Sequence, residues 1–496
     1  MEPVRAPPYE LHDVEKSPTP DMMYTEDDLP HTPSVRSVTS EPEPEYDDPN
    51  WDEEGEWLED DSPYPEVRSA VANFDDPTMP VSTLRAWALG VCFAIVMPAL
   101  NQFFDLRYPS ILVGPLVAQL IAFPLGRFWA RFVPQVRIFG LSLNPGPFNI
   151  KEHVLVTIMA GVGAQSAYSN EIVAAQRVFY HQNFNFAYQW TLVISTQLIG
   201  FSAGGLTRRL LVAPASMIWP NTLVVCALFN TLHSQNYVGF GNRSGMSRER
   251  FFTYALFGST VWYFVPGYLF SALSMFTWVC WIAPRNVKLN VLFGYRSGMG
   301  FSLLTLDWNQ IALIGSPLAT PWWAEANVVV GFIFFYWILT PVLYVIPEWW
   351  YVLQCSVYHI FEANLRHSVI VALLIALFFI VPVGMIEAVT TRQVGLNVIT
   401  ELIAGYILPG RPVAMMLFKT FGYISMSQGI LFTQDFKLGH YMKIPPRSMF
   451  CAQVVATVIA GTVQLGVLSW MFSTIPHICG QEQADMWVRA PVAKYL

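Results

Sequence analysis

From about residue 85 onward, the chain is a succession of apolar stretches about 20 residues long, most of which contain a proline, a glycine pair or an ionisable residue. A hydrocarbon core of about 30 Å needs about 20 helical residues, so stretches such as 87–104 and 369–388 are long enough to cross a membrane. A helix that breaks within the membrane exposes backbone amides and carbonyls, which hydrocarbon tolerates only where they line a cavity or bind a polar group. The pattern indicates a polytopic membrane protein with discontinuous helices, and transport is the first hypothesis.

Charge is distributed unevenly along the 496 residues. The first 76 residues hold 23 Asp and Glu against 4 Lys and Arg, whereas the remainder holds 13 acidic and 24 basic residues. A segment rich in Glu, Asp, Pro and Ser buries too little apolar surface to offset the entropy of ordering it. The sequence therefore predicts a disordered, acidic, cytoplasmic tail over residues 1–80 and a transmembrane transporter domain over residues 81–496.

The predicted fold class is all-α, with about ten transmembrane helices, several of them discontinuous. The candidate spans are 86–104, 110–126, 153–174, 187–206, 210–231, 251–282, 326–346, 368–388, 394–418 and 450–475. Shorter apolar pieces at 289–304, 310–318 and 421–433 are interpreted as re-entrant or interfacial segments. The six cysteines form no metal-binding pattern with histidine, so no metal is predicted. No HExxH or P-loop is present, so an enzyme is not expected.

Basic residues give a partial topology. The loops after the second and fourth candidate spans carry Lys or Arg, and the positive-inside rule places both on the cytoplasmic side. The loop after the fifth span also carries arginines, but counting spans from a cytoplasmic tail places this loop outside. The span count and the positive-inside rule therefore disagree there, and the topology after residue 231 stays open. The residues of the first two loops are Arg127, Arg131, Arg137, Lys151, Arg208 and Arg209.

The first polar stretch of the membrane domain is SLNPGPFNIKEH, residues 142–153. Two prolines that flank a glycine cannot continue a helix, while Asn149 can cap the helix that follows, with Glu152 at its third position. A helix start leaves amide donors and a partial positive charge that suit a substrate carboxylate. An ordinary loop and helix cap is the alternative. The candidate binding residues here are Asn144, Pro145, Gly146, Asn149 and Glu152.

The second stretch, residues 393–419, places four polar or charged residues in an apolar run, and the sequence Pro-Gly-Arg-Pro at 409–412 breaks its helix into two halves. An unpaired charge at mid-bilayer costs roughly 3 kcal/mol on insertion scales, so these groups should face one another or water. A structural ion pair between the two halves is the alternative. The four residues are Asn397, Glu401, Arg411 and Lys419.

The third stretch is LGHYMKIPPR, residues 438–447. Two prolines stiffen an extended segment and place basic side chains near the membrane surface, where they could hold lipid phosphate, close a gate or anchor the next helix. Anchoring is the simplest of these roles. The candidate residues are Lys443, Pro445, Pro446 and Arg447.

These stretches closely resemble the oligopeptide transporter (OPT) family, specifically its fungal and plant peptide-transporting branch. The resemblance rests on NPGPFNIKEH at 144–153, GLNVITELIAGYILPGRP at 395–412 and GHYMKIPPRSMF at 439–450, and it covers about residues 80–483. It implies proton-coupled uptake at the plasma membrane of small peptides of about three to five residues, glutathione-like peptides included. The implied partners are peptides, protons and membrane lipids, with no nucleic acid and with the proton gradient in place of a cofactor.

The chain departs from the family in two places. Members usually carry a long segment between a stretch like FYWILTPVLY and a stretch like IPEWWY, but here these stretches adjoin at 335–344 and 346–351. Members also continue past the equivalent of Ile478. The chain is therefore expected to be internally shortened and C-terminally truncated. An inactive family member, and a metal-chelate carrier like those of the yellow-stripe-like branch, remain alternatives.

The mechanistic hypothesis is alternating access around a central cavity, with an intramembrane acid that takes up the proton. Glu401 is the first candidate because burial would raise its pKa toward the working range, and Lys419 or Arg411 is the expected counter-charge. Imidazoles are further candidates because they titrate near neutrality. The other proton-coupling candidates are Glu171, His153 and His440.

Overall fold

Helices make up nearly all of the secondary structure in the part of the chain that the computed structural model describes. That part comprises residues 62–72, 75–106, 112–138, 141–233, 248–295, 298–301, 303–312, 316–340, 342, 365–408, 410–475 and 478. All of them belong to one compact unit, Tyr46–Leu496. The all-α prediction is confirmed.

The α-helices follow one another along the chain as a series of 17 within the described ranges. They are α1 Pro65–Ala70, α2 Leu84–Asp105, α3 Pro115–Phe132, α4 Ile150–Ala164, α5 Ser169–Val178, α6 Phe186–Leu211, α7 Pro220–His233, α8 Arg248–Phe264, α9 Trp278–Ile282, α10 Val287–Phe293, α11 Trp308–Ile311, α12 Trp322–Phe332, α13 Leu365–Thr390, α14 Asn397–Ile407, α15 Pro412–Lys419, α16 Ser425–Tyr441 and α17 Pro446–Thr474. Extended structure is limited there to two antiparallel two-residue ladders, β1 Arg137–Ile138 with β2 Leu141–Ser142, and β3 Phe276–Thr277 with β4 Leu303–Leu304.

Four helices in the described ranges are long and apolar enough to cross a membrane. They are Leu84–Asp105, Trp322–Leu339, Ser368–Thr390 and Pro446–Thr474, of which Trp322–Leu339 comprises α12 and the π-helical stretch Ile333–Leu339 that follows it. Other candidate spans are divided: residues 165–168 separate α4 from α5 within the predicted span 153–174, and residues 408–411 separate α14 from α15 within 394–418. The interruption falls at the Pro-Gly-Arg-Pro sequence that predicts it, and Gly410 there has a φ of 71°, which glycine adopts without strain.

The interpretation of residues 421–433 as a re-entrant or interfacial segment is wrong. Helix α15, a π-helical turn at Thr420–Ile424 and α16 follow one another without a break, so one helical run extends from Pro412 to Tyr441. Helix α16 packs against α6, α13 and α7. Because other helices surround it, α16 can carry glutamine, aspartate and lysine, and these residues hide it from a search for apolar stretches.

The single span predicted over 251–282 is also wrong. Helix α8 ends at Phe264, and a π-helical turn at Val265–Leu269, a 3₁₀ turn at Ser271–Leu273, strand β3 and the short helix α9 follow. Pro266 lies in the π-helical turn, where it cannot donate a backbone hydrogen bond. The segment is apolar, as its sequence indicates, but it is not one continuous helix.

Residues 62–72 and 75–80 belong to the described fold, and some of them pack in its core, so the predicted tail boundary at residue 80 is wrong for this segment. Val67 and Ala70 of α1 are buried in the same hydrophobic cluster as residues of α2, α4 and α7. Asn230 of α7 donates a hydrogen bond from Nδ2 to the carbonyl oxygen of Ala70 at 2.9 Å. The high acid content of the first 76 residues concealed these apolar positions. The rest of the predicted tail, residues 1–61, lies outside the described residues.

Helices α6 and α16 cross at a contact made by glycines. A Cβ at Gly204 would lie 2.5 Å from the carbonyl oxygen of Gly429, and a Cβ at Gly200 would lie 2.7 Å from the Cβ of Gln428. Gly200 and Gly204 form a Gly-x-x-x-Gly pair, the spacing that lets membrane helices approach closely. The polar helix α16 therefore owes its central position to the absence of side chains on one stripe of α6.

We expect Gly204→Ala to destabilise the protein by about 1–3 kcal/mol, because the added methyl group would push the two backbones apart. Gly205→Ala is the matched control, since no atom lies within 4 Å of a Cβ at Gly205. The control should leave stability unchanged or raise it slightly, because alanine favours a helix more than glycine does. The measurement is the temperature at which the detergent-solubilised protein loses its monodisperse elution peak. Equal transition temperatures for the two variants would contradict the close crossing.

Candidate functional site

A fully buried ion pair organises the stretch at 142–153. The guanidinium of Arg85, in the first turn of α2, pairs with the carboxylate of Glu152 in α4, and both side chains are 0% exposed. Arg85 also donates hydrogen bonds to the carbonyl oxygens of Gly146 at 2.9 Å and Pro147 at 3.1 Å. Thr83 donates to the second carboxylate oxygen of Glu152. The loop is thus folded around one arginine side chain.

The predicted helix cap is confirmed. The side chain of Asn149 accepts a hydrogen bond from the Glu152 amide at 2.8 Å, and Glu152 Oε2 accepts one from the Asn149 amide at 3.3 Å, which is a complete capping box. Asn144 is buried and donates from Nδ2 to the carbonyl oxygens of Ala130 and Val133, at the end of α3. All of these contacts lie within the protein and hold the loop and the start of α4 in place.

The other residues of this stretch lie at its surface or in its turn. Pro145 is half-buried, and Gly146 has a φ of 125°, a conformation that favours glycine. The loop-and-cap alternative therefore accounts for all five candidate residues of the stretch. Contact with a substrate carboxylate at this helix start stays a prediction.

Outside the membrane, the segment before α2 is tied to the start of α4. The Nζ of Lys151 donates to Asp75 Oδ1 at 2.6 Å and to the carbonyl oxygen of Asp76 at 2.7 Å. Hydrogen bonds from the hydroxyl and the backbone amide of Thr78 lower the pKa of the Asp76 carboxyl. Asp76 therefore stays ionised at neutral pH and holds this turn together.

His153 is buried in a pair with a second histidine. Its Nε2 lies 2.8 Å from the carbonyl oxygen of Gln119, and its Nδ1 lies 3.0 Å from Nε2 of His233. Because a carbonyl oxygen can only accept, Nε2 of His153 carries the proton and Nδ1 accepts from His233. The ring of Phe229 packs edge-on at 4.8 Å from the His153 ring. Two neutral imidazoles satisfy these contacts, and sequence reasoning had not singled out His233.

A charged cluster lies at the broken helix formed by α14 and α15. Lys419 Nζ donates to Glu401 Oε1 at 2.8 Å, and the side chains of this pair are 16% and 36% exposed. The same Nζ lies 4.9 Å from the ring centroid of Tyr168, which precedes α5. Glu171 of α5 lies within electrostatic range of Lys419 and of Asp105, at the end of α2.

The structure therefore brings together three of the predicted site residues, Glu401, Glu171 and Lys419. Lys419, rather than Arg411, is the partner of Glu401, while Arg411 is exposed in the linker between the two half-helices. Asp105 was missed because it ends an ordinary apolar helix. Asn397, at the start of α14, has a buried Oδ1 with no hydrogen-bond partner among the described residues.

The residues of the third stretch lie between α16 and α17. His440 is exposed at the end of α16, and Lys443 has a φ of 53° in the turn that follows. The exposed Pro446 begins α17, next to the exposed Pro445 and Arg447. This placement is what anchoring of the next helix requires. The other roles considered for these residues stay predictions.

A cavity of about 140 Å³ lies among α3, α4, α7 and α16. Asp435 lines it and accepts a hydrogen bond at 3.4 Å from Gln453 of α17. Gln119 Oε1 and Thr222 Oγ1 are buried, and neither has a hydrogen-bond partner among the described residues. The polar lining residues are Gln119, Thr157, Gln165, Thr222, Gln428, Gln434 and Asp435. Sequence reasoning missed this site, although glutamine and aspartate inside an apolar segment were a usable signal.

The chain is similar to known proteins over most of its length. The family model described as OPT oligopeptide transporter protein matches residues 81–365 and 346–496. "Sexual differentiation process protein isp4" of Schizosaccharomyces pombe is 37% identical over 546 aligned residues, which cover 86% of this chain and 69% of isp4. "Glutathione transporter 1" of the same yeast is 36% identical, with 86% and 64% covered. "Oligopeptide transporter 1" of Saccharomyces cerevisiae is 35% identical, with 86% and 68% covered.

The alignments also locate the internal departure. The 546 positions aligned with isp4 exceed the 496 residues of this chain, so at least 50 of them lie opposite gaps in it. The two family matches meet at residues 346–365, beside the junction between the stretches 335–344 and 346–351. This agrees with the internally shortened chain that the sequence indicates.

We expect Arg85→Met to destabilise the protein by about 3–5 kcal/mol, because the Glu152 carboxylate would remain buried without a counter-charge. Asp75→Asn is the control: it weakens the Lys151 pair, whose Asp75 side chain is 48% exposed, and should cost less than about 1 kcal/mol. Thermal unfolding of the two purified variants measures the difference. If Arg85→Met lowered stability as little as the control does, the ion pair would not organise this loop.

Proposed function

Because the chain belongs to the oligopeptide transporter family, we propose that it imports small peptides across the plasma membrane by proton-coupled alternating access. The cargo would be peptides of about three to five residues, glutathione-like peptides included. Similar proteins named as a glutathione transporter and as an oligopeptide transporter support a peptide cargo.

The observation that carries the proposal is the polar cavity beside α16. A peptide presents an ammonium group, a carboxylate and amide donors. Asp435 can accept hydrogen bonds from the ammonium group, while the unpartnered oxygens of Gln119 and Thr222 can accept from amide N–H groups. Polar groups inside a membrane bundle are costly and mark pathways for polar solutes. This cavity is therefore the part of the described fold that best suits a peptide backbone.

The cavity must widen before a peptide can enter. Its volume of about 140 Å³ is below the roughly 300 Å³ at which ligand pockets begin. A cavity of that volume has room for water molecules but not for a peptide. The described conformation is therefore assigned to a closed state, and import requires the helices around the cavity to separate on one side at a time.

The charged cluster could couple proton uptake to a change in the cavity. Lys419 ends α15, and the same helical run continues through the π-helical turn into α16. Gln428 lies nine residues further along, which is about 14 Å at 1.5 Å per residue. Protonation of Glu401 would neutralise its carboxylate and release Lys419. The helical run could then shift and change the cavity that Gln428 and Asp435 line.

The energy available is sufficient for accumulation. One proton that moves down a potential of about 100 mV releases about 2.3 kcal/mol, and one pH unit adds about 1.4 kcal/mol. Together these correspond to a gradient of several hundred-fold per proton. Substrate binding can therefore be modest, and a pocket that reads mainly the peptide backbone would accept varied side chains.

One observation favours a second candidate function. At least 50 positions of the alignment with isp4 have no counterpart inside this chain. A family member that reaches the membrane but no longer transports would fit that shortening. Uptake measurements separate the two functions.

The experiment is uptake of a labelled tetrapeptide by cells that lack their own peptide transporters and express this chain. We expect intact peptide to accumulate inside, more strongly at acidic external pH, and a labelled iron chelate to be excluded. Surface labelling establishes in parallel that the protein is at the plasma membrane. Chelate uptake without peptide uptake would replace the proposed cargo, and no uptake by surface protein would identify an inactive member.

We expect Glu401→Gln to abolish accumulation against a gradient while peptide exchange at equal concentrations continues, because glutamine cannot carry the proton. Glu325→Gln is the matched control, since it alters another partly exposed ion pair, the one with Arg392. The control should keep the pH dependence of the wild type. The measurement is tetrapeptide uptake between pH 5 and 8, and wild-type pH dependence in Glu401→Gln would exclude Glu401 from coupling.

A further inference from the structure

A second cavity, of about 710 Å³, opens at the C-terminal end of α3. Aromatic side chains form much of its wall: Phe123, Phe128 and Phe132 from α3, and Phe148 from the loop before α4. Leu232 and His233 of α7 also line it. The cavity is separate from the one lined by Asp435, because the two share no lining residue.

The described lining of this cavity carries two arginine side chains and no acidic one. Arg127 and Arg131 line it, four residues apart on one face of α3, and both are exposed. The guanidinium carbon of Arg127 lies 5.4 Å from the ring centroid of Phe123, so the side chain lies along the aromatic wall. Among the described lining residues there is no Asp or Glu. An anion is therefore the expected guest.

The outer surface of α3 leads directly to this cavity. An exposed apolar stripe follows one face of the helix at intervals of three and four residues and ends at the cavity wall. In a membrane such a stripe faces acyl chains. The rings of Phe128 and Phe132 lie 4.4 Å apart at its end and are 61% and 65% exposed. The stripe consists of Val117, Ile121, Leu125, Phe128 and Phe132.

The basic residues after α3 place this end of the helix on the cytoplasmic side by the positive-inside rule. The cytoplasmic leaflet is the one that carries anionic phospholipids, and basic pockets between helices on this side suit their head groups. An amphiphile would satisfy both halves of the site, since its phosphate suits Arg127 and Arg131 while its acyl chain suits the stripe. Inorganic phosphate would satisfy only the charge, and the acidic tail offers carboxylates but no acyl chain.

We propose that the cavity at the end of α3 binds the phosphate of an anionic phospholipid of the cytoplasmic leaflet, with Arg127 and Arg131 as its ligands and the α3 stripe as the seat of an acyl chain. The bound lipid would contact α3, the loop around Phe148 and the end of α7. Phe148 packs on the ring of His153 at a centroid distance of 5.4 Å, so the guest would also cover the histidine pair. Bound lipid should therefore stabilise the fold.

The test is phosphatidylserine binding to the purified full chain, measured by native mass spectrometry together with thermal stability. We expect Arg127→Gln/Arg131→Gln to bind phosphatidylserine about 30-fold more weakly, at about 1 kcal/mol for each arginine. Arg208→Gln/Arg209→Gln is the matched control. It removes two exposed arginines from the end of α6 that the same rule places on the cytoplasmic side, and it should bind as the wild type does. Equal binding by both double variants overturns the proposal.

Two further arms identify the source of the phosphate and the occupant. Inorganic phosphate alone should not raise the unfolding temperature, and if it matches phosphatidylserine the lipid assignment is wrong. A p-benzoyl-phenylalanine placed at Phe132 should crosslink to phospholipid in the full chain. A crosslink to residues 1–61 would make the acidic tail the occupant and overturn the proposal. Arg127→Lys/Arg131→Lys keeps the charge and should retain most of the binding, which separates loss of charge from loss of folding.

Discussion

Hydrocarbon offers no hydrogen bonds, so a polar group inside this helical bundle depends on a partner from the chain itself. Arg85 meets this constraint with the Glu152 carboxylate and two loop carbonyls, and it thereby fixes the geometry where α2, α3 and α4 meet. Lys437 meets it by donating to the carbonyl oxygen of Val212 at 2.9 Å, just past the end of α6, where the helix dipole favours a cation. The positions of the central helices follow from these contacts together with the glycine crossing.

Two of the exceptions to this rule lie where we place function, in the cavity beside α16, while others, among them Arg85 Nε and Asn170 Oδ1, lie outside that cavity. Gln119 and Thr222 leave oxygens without partners among the described residues, and both line the cavity beside Asp435. The Glu401 and Lys419 side chains are 36% and 16% exposed, unlike the sealed Arg85 pair. A sealed pair holds a fold together because breaking it is costly. A pair that water can reach can exchange a proton with the solvent. An ion pair between a carboxylate and a basic side chain therefore stabilises the fold at Arg85 and serves the proposed coupling at Glu401.

Local features of the sequence were sufficient to predict some parts of the fold and of the candidate site. Asn149 and Glu152 of the helix cap lie three positions apart, and the helix break is caused by the prolines and glycine at 409–412, so both features could be predicted. The partner of Glu152 could not, because Arg85 lies 67 residues away and looks like an ordinary residue at a helix start. Residues 421–433 were interpreted as a re-entrant or interfacial segment because a helix enclosed by others, as α16 is, needs no apolar surface of its own. The tail boundary was misplaced because composition averaged over 76 residues outweighed a few buried apolar side chains.

The central claim is that the cavity beside α16 opens to water and receives the peptide. Its most direct test is Thr222→Cys, introduced after serine replaces all six native cysteines, and then treated with a charged, membrane-impermeant thiol reagent. Thr222 lines the cavity and is 2% exposed in the closed state. We predict slow modification that a saturating tetrapeptide prevents. A cysteine that the reagent never reaches from either side, or reaches equally with and without peptide, would contradict the account.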